Sequence, residues 1–152
     1  MLGKLRALAD HTPAELWLLV QLLGCSVVLG HAIRWWRLAD IVRILDTPFH
    51  RPRPRPLVPF MPIPAPDRLC TLIDIAARVV HRQRACLVRS LLLFWLLRHD
   101  RSPVALVIGV NKEAQRLKSH AWVETNGATI LETDDMIRPY IPVLRFERTL
   151  SS

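Results

Sequence analysis

Apolar residues are spread unevenly along this 152-residue chain. From Leu16 to Ile33, eighteen positions, the only polar side chains are Gln21, Ser26 and His31. Thr12, Pro13 and Glu15 stand just before this run. A threonine followed three residues later by glutamate is a capping box, and proline suits the first helical position, so a helix is predicted to start at Pro13. The run closes on Arg34-Trp35-Trp36-Arg37. Eighteen residues is the lower limit for crossing a bilayer, and tryptophans between arginines suit a membrane interface. Two glycines and three polar groups weaken a span already this short. A helix that docks an apolar face on lipid or on a partner protein fits the pattern better than a span does.

A second pattern begins at Pro48. Eight of the twelve prolines lie between Pro48 and Pro66, including Arg51-Pro52-Arg53-Pro54-Arg55-Pro56. Proline at this density excludes helix and central strand and leaves an extended, polyproline-like strap. A stiff spacer is the favoured reading over an arginine-studded binding surface, because no aromatic residues interleave the arginines as in a nucleic-acid groove.

From residue 67 the periodicity changes again. Asp67 is expected to cap a helix running to about His81, with Leu69, Leu72, Ile73, Ala76 and Val80 as its apolar stripe. A second helix starts near Cys86 and carries Leu87, Leu91, Leu92, Phe94, Trp95 and Leu96. It is apolar on nearly every side, which predicts central burial. Val104–Val110 reads as a buried strand, 111–118 as a charged loop, and 119–125 with 128–133 as a hairpin about Asn126-Gly127. Val143-Leu144-Arg145-Phe146 is a candidate last strand. The fold class is therefore α+β, in three regions: an N-terminal hydrophobic helical region, 1–47; a Pro/Arg-rich connector, 48–66; and a compact domain, 67–152.

Composition narrows this picture. Apolar residues make up 51% and charged ones 22%, with a mean hydropathy of +0.20. That excludes a disordered chain. The formal net charge is +8, and eighteen of the twenty-one cations are arginine. Acidic peptides, anionic lipid and nucleic acid all suit such a balance, but the basic residues are scattered rather than clustered with aromatics, so nucleic acid is not an expected partner. Three cysteines without C-x-x-C spacing argue against a disulfide framework or a zinc site. With no small-residue cleavage site after the apolar run, a secretory signal is not expected. The expected location is cytoplasmic, with membrane association through the N-terminal helix as the variant.

One cysteine stands apart. Cys86 falls at the start of the buried helix, where unpaired backbone N–H groups and the helix dipole favour a thiolate, and Arg84 and Arg89 add positive charge. His120 opens the strand Ser119-His120-Ala121-Trp122-Val123-Glu124. A cysteine on a helix N-terminus and a histidine on a sheet strand is the plan of a Cys–His nucleophile pair. The imidazole then needs an acceptor to fix its tautomer. A two-residue turn at Asn126-Gly127 would set Thr133 opposite His120, and a four-residue loop would set Asp134 there. A three-residue turn, Thr125-Asn126-Gly127, sets Glu132 there. The chemistry favours the three-residue turn and Glu132, with Asp134 in reserve.

Cys86-Leu87-Val88-Arg89-Ser90-Leu91, Val107-Ile108-Gly109-Val110 and His120-Ala121-Trp122-Val123-Glu124 with Asn126-Gly127 together resemble the transglutaminase-like leader peptidases of lasso-peptide biosynthesis. The order Cys, His, acid, 34 and then 12 positions apart, follows that family's catalytic core. The resemblance implies a papain-related cysteine protease core in miniature and cleavage of a ribosomally made precursor peptide at its leader–core junction. It also implies a separate leader-recognition protein and an ATP-dependent lasso cyclase as partners. The family's third residue is usually aspartate, so Glu132 is a departure that keeps the carboxylate.

In this reading His120 activates Cys86, the thiolate attacks the peptide carbonyl, and water hydrolyses the acyl-enzyme. Oxyanion donors would be the Cys86 backbone N–H and, by analogy with papain-type enzymes, the Gln83 side chain. Arg84, Arg89 and Trp122 are candidate substrate-binding residues, with Trp122 equally suited to a core position. No metal or cofactor is called for. Cys25, His31, Cys70, His81 and His99 read as structural. An acyltransferase on the same Cys–His scaffold and a non-enzymatic membrane-associated adaptor are the alternatives.

Overall fold

The computed structural model describes residues 12–46, 66–81, 84–97, 103–113 and 116–147. Apart from Pro66, the proline-rich connector lies outside them. The elements, in chain order, are α1 (Pro13–Trp35), α2 (Leu38–Asp46), α3 (Pro66–Val80), α4 (Ala85–Leu97), β1 (Val104–Glu113), β2 (Arg116–Thr125), β3 (Ala128–Ile130), α5 (Asp134–Ile137) and β4 (Ile141–Glu147).

The capping box forms as the spacing predicts. Oγ1 of Thr12 accepts from the Glu15 backbone N–H at 3.3 Å, and a Glu15 carboxylate oxygen accepts from the Thr12 N–H at 2.9 Å. The α3 boundary differs slightly: the helix already includes Pro66, so Asp67 lies in its first turn, where a carboxylate still favours the dipole. The charged segment 111–118 is not a long loop. β1 runs on to Glu113 and β2 begins at Arg116, in register with Glu113 opposite Arg116.

The four strands form one antiparallel sheet in the order β3-β2-β1-β4. Period-two alternation gives it two apolar faces. Val104, Leu106 and Val123 pack against the helices, while Ala105, Val107 and Trp122 form a smaller cluster on the other face with Ile137 and Tyr140. Within α4, Val88, Leu91, Leu92, Leu93 and Phe94 are all buried, as an all-round apolar helix should be.

The N-terminal helical region shares this core. Leu19, Leu22 and Leu29 of α1 and Ile41 and Val42 of α2 belong to the same buried cluster as Leu72, Ile73, Ala76 and Leu91. Nε2 of His81, at the end of α3, lies 3.0 Å from the Ser26 carbonyl. A Cβ at Gly30 would fall 1.9 Å from that imidazole, so glycine is what lets α3 close on α1. By length and composition α1 is apolar enough to cross a membrane, yet one of its faces is committed to the protein.

Candidate active site

β3 is only three residues long, and this sets the site. It pairs with β2 at Val123, Glu124 and Thr125 and stops. Upstream of Val123, the outer edge of β2 is therefore free of β3, and His120 sits there. Thr125 pairs with Ala128, so the turn is the two-residue Asn126-Gly127, with φ of 50° and 79° at its two positions. The three-residue turn expected from the chemistry does not form; Asn-Gly takes the paired positive φ angles that a two-residue hairpin turn needs.

Continuing the observed register would bring Thr133 to His120. Glu132 arrives by another route. Leu131 adopts φ 67°, which breaks the strand and redirects the chain. The Thr129 hydroxyl then donates to the Glu132 carbonyl at 2.9 Å and holds the new direction. As a result the Glu132 side chain is 1% exposed and its Oε1 lies 3.2 Å from Nε2 of His120. The pair is close without a well-aligned hydrogen bond. Asp134, the reserve acid, is exposed at the start of α5.

Arg89 completes the cluster. Its Nη2 contacts the same Glu132 oxygen, and its Nη1 donates to Asp74 of α3 at 3.1 Å. Asp74 also pairs with Arg78 at 2.8 Å. Arg89 thus reaches inward from α4 to hold a buried carboxylate, where sequence reasoning placed it on substrate. Burial and then the nearby Arg89 charge push the His120 pKa below the ordinary histidine value, favouring neutral imidazole.

Cys86 is the second residue of α4 and half-buried. It precedes Arg89 by three positions and Ser90 by four, so all three leave α4 on one side. Oγ of Ser90 donates to the carbonyl of Ala121, next to His120, at 2.9 Å. Ser90, one turn beyond Cys86, thus ties α4 to the strand residue next to His120. Arg84 is exposed just before α4, and Gln83 lies outside the described residues.

Trp122 belongs to the core. It is 3% exposed, its ring stacks beside His120 with centroids 6.3 Å apart, and its indole N–H donates to Glu124 at 2.8 Å. It backs the imidazole and does not wall an open groove. Two further residues escaped the sequence reading. Tyr140 sits against His120 with ring centroids 5.2 Å apart. Gly109 is the cross-strand partner of His120, and a Cβ there would meet the Trp122 ring at 2.7 Å and Cβ of Tyr140 at 2.9 Å. The glycine inside an otherwise unbroken apolar strand was the available signal. Among the described residues, no group of three or more His, Cys, Asp or Glu side chains comes together to hold a metal ion.

The sequence profile of the transglutaminase-like superfamily matches residues 25–145, and the chain belongs to that superfamily. The match begins inside α1, so it takes in part of the N-terminal helical region as well as the sheet. No curated protein and no solved structure matches the chain at a significant level. The superfamily's members are typically cysteine proteases and acyltransferases.

Proposed function

We propose that the protein is a cysteine peptidase that removes the leader from a ribosomally made lasso-peptide precursor, with Cys86, His120 and Glu132 as its catalytic residues. The observation that carries this reading is the buried Glu132 carboxylate 3.2 Å from His120 Nε2. An acid on that nitrogen leaves Nδ1 for the thiol proton and supports the imidazolium formed when the thiol gives it up. Neutral His120 takes the proton of Cys86, and the thiolate adds to the scissile carbonyl. The imidazolium then protonates the leaving amine as the C–N bond breaks. Water, deprotonated by His120, hydrolyses the thioester and returns the thiol. Arg89 acts through Glu132 as a positioning residue.

A separate leader-recognition protein and an ATP-dependent cyclase are the partners this reading requires. It is supported by superfamily membership and by the Cys, His, acid order along the chain. The test is to incubate precursor, recognition protein and enzyme and to measure product masses. Free leader and free core are expected, and Cys86→Ala should give neither. Cleavage that survives in Cys86→Ala would end the protease reading. An amine adduct of the acyl fragment in place of a free acid would identify the acyltransferase alternative on the same scaffold.

A further inference from the structure

α1 is apolar around its whole circumference but buried on only one side. Leu19, Leu22, Ser26 and Leu29 face the core. Directly opposite, by helical spacing, run Trp17, Val20, Val27, Val28 and Trp35, 53%, 57%, 44%, 67% and 77% exposed. This outer stripe is about 27 Å long at 1.5 Å per residue. An all-round apolar helix is stable only when covered all round, so something covers this face.

The stripe's chemistry distinguishes the occupants. A protein interface carries a hydrogen bond for every 100–200 Å² or so, and the stripe offers almost none. His31 is its one exposed polar side chain, and its Nδ1 lies 3.0 Å from the Val27 carbonyl of the same helix; Gln21, at its margin, is half-buried. No charged residue occurs from Leu16 to Ile33 to set a partner's register. The end of the stripe is different. Trp35 and Trp36, bracketed by exposed Arg34 and Arg37, border a shallow depression that also takes in Asp40 and Ile44. Tryptophan beside arginine at the end of an uncharged face is the chemistry of the boundary between acyl chains and anionic headgroups.

We propose that this face of α1 is a membrane-docking surface that lies along an anionic bilayer without crossing it. Its tryptophans and valines enter the acyl–headgroup boundary, and Arg34 and Arg37 meet lipid phosphates. The inner face forbids a span, because Leu19, Leu22 and Leu29 and the His81 contact to Ser26 hold it to the core. The site at His120 takes no part, so peptide cleavage and docking fail separately.

Flotation of the full-length chain with vesicles of equal parts phosphatidylglycerol and phosphatidylcholine tests this. The protein should float with them, float far less with phosphatidylcholine alone, and be released by alkaline carbonate. Val20→Gln with Val28→Gln should lower partitioning roughly tenfold or more, since two valines that would enter the bilayer become polar, at an unchanged melting temperature, since both are exposed in the free protein. Arg34→Gln with Arg37→Gln should lower it on the anionic vesicles only. Failure to float, equal flotation of the valine variant, or resistance to carbonate would overturn the proposal, the last in favour of a span. So would a dimer in sedimentation equilibrium that the valine variant abolishes, which would make a second copy the occupant.

Discussion

Nε2 of His120 stands 3.2 Å from Oε1 of Glu132, and Arg89 grips that same oxygen. One carboxylate therefore serves two partners: a permanent guanidinium that anchors it to Asp74, and an imidazole that would gain charge only in the proposed reaction. Burial and the Arg89 charge meanwhile keep the histidine on the neutral side of its ordinary titration. The arrangement also means that the acid cannot be altered without disturbing the fold.

Glu132→Gln keeps the side-chain shape but leaves the Arg89 charge buried with only Asp74 opposite. Breaking one partner of such a pair should cost about 3 kcal/mol, read as a lower urea midpoint, and precursor cleavage should fall by roughly a hundredfold or more. Arg89→Met combined with Glu132→Gln should recover part of the stability, about 1 kcal/mol or more beyond additivity, without recovering cleavage. Strict additivity in that cycle would show that the contact carries no coupling.

Gly109→Ala places a methyl group where the Trp122 ring and Cβ of Tyr140 already stand. Both rings touch His120, so the displacement reaches the imidazole. Overpacking of this kind should cost about 1–3 kcal/mol and lower kcat more than it raises KM. Calorimetry and steady-state kinetics on the same sample would check both halves.

Leu131 pays for the turn that delivers Glu132. A non-glycine residue at φ 67° holds strain of about 1 kcal/mol, and the side chain is 37% exposed. Leu131→Asn, which tolerates the left-handed region, should hold or raise the melting temperature and keep activity. Leu131→Val should lower both, because a β-branched side chain resists this conformation.

His120 gives a pH signature with a definite sign. Its folded pKa lies below the ordinary histidine value through burial and then the Arg89 charge. As pH falls from about 6.5 the unfolded chain takes up the proton first, so stability declines through that window and is fully present above it. The acid limb of kcat/KM should likewise lie below 6.5. Arg89→Met removes the repulsion and should move that limb upward. An unmoved limb would separate Arg89 from His120.

Much of this was legible from residue patterns. Thr12 and Glu15 announced the cap, Asn126-Gly127 the hairpin, and the all-round apolar helix after Cys86 the centre of the core. Glu132 was reached by a wrong turn length. Period-two alternation assumes that a strand continues, and nothing in Ile130-Leu131-Glu132 signals a break, because leucine rarely accepts a positive φ. The inward reach of Arg89 was equally hidden: its partner Asp74 lies fifteen positions away on another helix, and sequence alone reads an arginine near a nucleophile as facing outward. For α1 the pattern was too uniform to choose a side, since apolar residues on both faces give the helix no preferred orientation until α3 and His81 supply one.

That shared core bears on how the chain can be trimmed. The obvious way to make such a chain easier to handle is to delete its greasy N-terminus and keep everything from Pro66 onward. Here that shortening would strip α1 from α3 and α4, which it packs against, and lay bare apolar side chains of the main cluster beneath it. One sticky surface would be exchanged for another, this time in the heart of the domain. Handling is better improved by polar substitution along the outer stripe, which leaves the inner stripe of the same helix in place.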